Sequence, residues 1–130
     1  MTHKHMAATA DGLAERSVAV LRYNFPYMER GSKRPDNPPV AHTAVRAAVA
    51  DAAKLAGDLP LFAGGRSFGA RMTSQAQSLD PLPNVKGLVF FAFPLHAPGK
   101  PGVERADHLK QVKVPMLFLQ GTKDEFADVD

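Results

Sequence analysis

Apolar positions along this chain fall into two alternating patterns, a helical stripe and a short unbroken run. In residues 6 to 15, "MAATADGLAE", Met6, Ala10 and Leu13 share one helical face, and the "SVAVLRY" that follows is a compact apolar run suited to a buried strand. From 23 to 39, "YNFPYMERGSKRPDNPP" breaks both periods with Pro, Gly, Asn and charge and predicts a long loop. Beyond it, "VAHTAVRAAVADAAKLAG" spaces Ala41, Val45, Ala48, Ala52 and Leu55 as a helix, with Pro38 and Pro39 near its start and Gly57 just past its end. "LPLFAGG" reads as a short strand ending in glycines, and "SFGARMTSQAQSL" as a helix stopped by Asp80, Pro81 and Pro83. The alternation then repeats: "VKGLVFFAF" predicts a strand, "PLHAPGKPGV" a loop, "ERADHLKQV" a short helix and "VPMLFLQG" a last strand. Wholly apolar strands alternating with helices predict an α/β fold, a parallel sheet of about four strands flanked by helices on both faces.

Composition narrows the class without changing that picture. The 130 residues suit a single domain over 1–130, and 45% hydrophobic with 22% charged is ordinary for a globular chain. No apolar stretch approaches the roughly 18 residues needed to cross a bilayer, and the N-terminus lacks the apolar core of a secretory signal, so a cytoplasmic protein without a membrane partner is expected. Zero cysteines closes thiolate metal sites, disulfides and a cysteine nucleophile. The net charge of +3 is spread over small groups such as Arg30, Lys33 and Arg34, with little aromatic interleaving, so no nucleic-acid partner is expected. No motif supports a metal or an organic cofactor, and none of either is expected. His3 and His5 lie two apart beside a terminus, which is weak ground for a metal site.

Candidate chemistry centres on one pentapeptide. Gly65-Arg66-Ser67-Phe68-Gly69 is a G-x-S-x-G pattern lying between a predicted strand and a predicted helix. Such a turn is too tight for larger neighbours, leaves the serine exposed at its tip, and directs the Phe68 N–H toward the place where an oxyanion would develop. The competing reading is a helix N-cap serine in a glycine-rich turn. A serine hydroxyl needs a base, usually a histidine that a carboxylate orients. Asp124, four residues after the last apolar run, falls at the same sheet edge as Ser67, where it is either that acid or a helix cap.

"RYNFPYMERGSKRPD", "PLFAGGRSFGARMTSQ", "FFAFPLHAPGKP" and "VPMLFLQGTKDE" together resemble an α/β-hydrolase branch close to the dienelactone hydrolases, which includes a testis-expressed protein and a subunit of a histone acetyltransferase complex. The resemblance covers nearly the whole chain. It implies Ser67 as nucleophile and Asp124 as acid of a Ser-His-Asp triad, acting on a small-molecule ester or similar acyl substrate. It also implies a histidine after Asp124 and a strand before the first helix. Neither is in the sequence, so the domain is expected to be truncated at both ends and poorly active. The absent strand would lie between the segments at 18–22 and 60–63. Its loss leaves a slot roughly 10 Å wide, and unpaired edges that predict a homodimer. The alternative to an enzyme is a non-catalytic interaction module of the same fold, which the complex subunit in that branch allows.

Other residues have open roles. His96, on the loop after the third predicted strand, is either a replacement base or a pocket or solvated histidine, whereas His42 and His108 fall on helices. Arg71, one turn beyond Ser67, either meets an anionic substrate or holds the helix by an ion pair. Tyr23 and Tyr27, at the start of the 23–39 loop, line a pocket or simply pack that loop.

Overall fold

The computed structural model describes residues 3–93 and 104–119. Four α-helices, three strands and one 3-10 helix follow in the order α1 (His3–Glu15), α2 (Pro26–Glu29), α3 (Pro38–Ala56), β1 (Leu61–Arg66), α4 (Phe68–Leu79), β2 (Val85–Phe91), the 3-10 helix (Glu104–Gln111) and β3 (Met116–Leu119). The strands form one parallel sheet in the order β1-β2-β3, and the registers Gly65↔Phe90 and Phe90↔Phe118 bring their carboxyl ends to a common edge. This is the α/β architecture that the alternation of patterns predicts.

α3 begins where the backbone favours it. Pro38 and Pro39 occupy the first turn of α3, where a missing N–H costs no intrahelical bond, and Gly57 closes it at φ 59°. The α3 stripe that enters the core is Ala41, Val45 and Val49, while Leu55 is exposed. α4 lies over the sheet and buries Ala70, Met72 and Ala76 together with Thr73, Ser74 and Gln77. Those polar groups are paired: Thr73 Oγ1 donates to the Gly69 carbonyl at 2.7 Å, and the Gln77 carbonyl oxygen accepts from Leu82 N–H at 2.9 Å. The covered sheet face carries Leu88 and Phe90, with Phe93 beyond the strand's end, and Phe90 and Phe93 meet edge-on at 5.2 Å.

Three expectations are corrected. The segment 18–22 is not a strand: no described residue forms a ladder with it, and Val18, Val20 and Leu21 stay exposed. An apolar β-branched run becomes a strand only when a neighbour takes its N–H and C=O groups. Among the described residues the sheet therefore has three strands rather than about four. Nor is it covered on both faces among the described residues. Strand alternation sends Phe62, Leu117 and Leu119 to the side opposite Leu88 and Phe90, and they are 58%, 54% and 46% exposed. Finally, the 23–39 segment is not all loop, because Pro26 starts the single turn of α2 inside it.

No described helix is long and apolar enough to cross a membrane. No group of three or more potential metal ligands occurs among the described residues.

Candidate active site

At the carboxyl end of β1 the chain turns directly into α4, and Ser67 is the residue on the turn. Its backbone, at φ 54° and ψ −114°, lies in a region that residues with a Cβ rarely occupy and that costs on the order of 1–3 kcal/mol. The surroundings hold it there. Ser67 N–H donates to the Phe91 carbonyl of β2 at 3.0 Å, and the Ser67 carbonyl accepts from Arg71 N–H at 3.1 Å, the first turn of α4. Although Ser67 stands at the N-cap position, its hydroxyl makes no capping bond. This removes the usual reason for a serine there. Phe68 takes the first helical position, where an N–H has no acceptor within the helix.

The turn closes because Gly65 and Gly69 lack side chains. A Cβ at Gly65 would stand 2.7 Å from the Gly69 carbonyl carbon and 2.8 Å from Ala70 N. The start of α4 is thus pressed onto the end of β1.

An aromatic wedge backs the turn from the other side. Phe25 and Tyr27 both meet the Phe68 ring edge-on, at 5.3 and 5.7 Å, and Phe25 lies against Gly69. The contact joins residues about 40 positions apart, and sequence reasoning marked Tyr27 without finding its partner. Tyr23 extends the group, meeting Phe25 at 5.5 Å. Burial raises its phenol pKa, and the Thr73 hydroxyl partly offsets this. Tyr23 thus sits at the rim of the wedge, edge-on to Phe25 and 37% exposed. The Tyr27 phenol is raised by burial and by the negative charge of Asp36.

Arg71 places its guanidinium 6.0 Å from the centre of the Phe68 ring, a cation–π arrangement on the residue that follows the serine. Neither His42 nor His108 lies at Ser67. His42 Nε2 is bonded to the Gln75 side-chain oxygen at 2.9 Å, and His108 Nε2 to Ser74 Oγ at 2.6 Å. Those partners are seven and eight residues along α4, about 10–12 Å of helix rise from the turn. Ser74 is itself fully buried, so its contact with His108 is a packing bond, not a second nucleophile pair. Asp124 and His96 lie outside the described residues.

His108 has a consequence of its own. Its pKa is lowered, first by burial and then by Arg71, with His42 adding to the effect and Asp107 opposing it. The unfolded chain therefore takes up this proton more readily than the folded one. The stability that neutral His108 carries is complete above the unfolded value near 6.5 and is lost as pH falls through the lower folded value. Thermal melts from pH 8 to pH 5 are expected to show falling stability below about 6.5, and His108→Gln to flatten that part of the curve.

A strand running through a strained serine into a helix, at the carboxyl edge of a parallel sheet, is the local geometry of the α/β-hydrolase fold. The family model for the alpha/beta hydrolase domain matches residues 1–130, so the chain belongs to the α/β-hydrolase family. No solved structure matches the chain significantly.

Proposed function

We propose that the protein is a serine hydrolase acting on an ester or similar acyl bond, with Ser67 as nucleophile, Asp124 as acid and the Phe68 N–H as an oxyanion donor. The observation that carries this reading is the Ser67 backbone. A strained φ and ψ at a half-buried serine whose hydroxyl makes no capping bond is best explained by what that hydroxyl does. His42 and His108 are engaged elsewhere on α4 and do not serve Ser67 as its base, so slow reaction of Ser67 is expected. Intact-mass analysis after long exposure to a fluorophosphonate is expected to show one slowly formed adduct, located on Ser67 and absent in Ser67→Ala. Labelling that survives Ser67→Ala, or no adduct on the folded protein, would overturn the proposal.

A second reading has its own observation. The exposed strip of Phe62, Leu117 and Leu119, beside edges of β1 and β3 that no described residue pairs, supports an interaction surface, with self-association its simplest form. Light scattering is expected to give a dimer that Leu117→Asp shifts to monomer, and a concentration-independent monomer would remove this reading.

A further inference from the structure

Between α2 and α3 the chain folds into a basic cleft that the hydrolase chemistry does not use. The cleft encloses about 370 Å³ and is lined by Arg30, Ser32, Arg34, Asp36, Asn37 and Val40, among others. Its floor is braced. The Asp36 side chain is 3% exposed, and its two oxygens are both occupied, accepting from Tyr27 N–H at 2.9 Å and from the Arg30 guanidinium at 3.1 Å. Arg30 is thereby held by one nitrogen and keeps its other N–H donors for a ligand. Ser32 fixes the second wall. Its hydroxyl accepts from Arg34 N–H at 3.1 Å, while its own N–H donates to the Tyr27 carbonyl at 3.0 Å. No described residue forms an ion pair with Arg34. The single carboxylate in the cleft is neutralised by Arg30, so the remaining field is positive, with Lys33 exposed alongside.

We infer that this cleft binds the dianionic phosphate of a small phosphate monoester, gripped between Arg30 and Arg34. Two arginines lining one cleft suit a tetrahedral dianion, which offers oxygens to more than one guanidinium, better than a planar carboxylate that fills one fork. The volume leaves room for an organic portion beside the phosphate.

The test is a titration of the folded chain with inorganic phosphate at constant ionic strength, followed by amide chemical shifts of residues 31–41, with acetate and chloride as comparators. Saturable shifts confined to this segment are expected. Arg34→Gln, at an exposed position that leaves the fold intact by circular dichroism, is expected to weaken phosphate binding about tenfold. Arg34→Lys is expected to restore it only in part. Ser67→Ala is expected to bind phosphate as the parent does, so failure of the hydrolase reading would not be mistaken for failure of this one. Non-saturating shifts, equal binding of acetate, or no effect of Arg34→Gln would each overturn the inference.

Discussion

Gly65→Ala is expected to destabilise the protein by on the order of 3 kcal/mol, although it adds one methyl group to a half-buried position. The added Cβ would lie within 2.7–2.8 Å of backbone atoms of Gly69 and Ala70, well inside contact distance. No rotamer change relieves a clash between a Cβ and backbone. Relief requires α4 to lift from β1, and that strips cover from the face on which Leu88 and Phe90 are buried. Gly12→Ala supplies the contrast. It lies within α1, where the nearest atom to a new Cβ is the Arg16 guanidinium at 3.7 Å, and the change is expected to stabilise by about 0.5–1 kcal/mol through helix propensity. Urea unfolding of the two variants beside the parent measures both. Equal and small effects would show that β1 and α4 do not meet as closely as described.

The second large effect separates stability from chemistry at one residue. Ser67→Gly is expected to raise the unfolding midpoint, because glycine occupies φ 54° freely where serine pays for it, with a gain of about 1 kcal/mol. The same substitution is expected to abolish the fluorophosphonate adduct. Ser67→Ala keeps the strained backbone and its Cβ, so it should lose the adduct with little change in stability. A site kept for its chemistry shows this trade of stability for reactivity, and a turn serine kept for structure does not. Should Ser67→Gly prove destabilising, the serine would be holding the turn, and the proposed role of its hydroxyl would lose its main support.

Most of the fold is legible in the sequence where the signal is local. The helix over α3 follows from spacing, its paired prolines and Gly57, and the strand-to-helix turn follows from glycines set around a serine. What misleads is whatever depends on a distant partner. "SVAVLRY" has the composition of a buried strand but no ladder neighbour among the described residues. α2 is a single turn, too short to register as a period. Within α4, the burial of Thr73, Ser74 and Gln77 runs against their polarity. It is explained by backbone carbonyls, the Leu82 amide and His108, none of which a hydropathy pattern contains. At the candidate site Ser67 and Phe68 are readable from the pentapeptide. The wedge of Phe25 and Tyr27 becomes visible only when the chain has folded.

The bond that joins α3 to the far end of α4 bears on how the molecule opens. The Arg46 guanidinium donates to the carbonyls of Ala76 and Asp80, at 2.7 and 2.8 Å, sharing the first with the Asp80 N–H and meeting the second just past the end of the helix. One turn earlier on α3, His42 meets Gln75, the neighbour of Ala76 on α4. The C-terminal turns of α4 are thus finished by α3, and fraying of one helix exposes groups that the other must leave unsatisfied. The two helices are therefore expected to open as one unit of local unfolding, with their amides exchanging as a set.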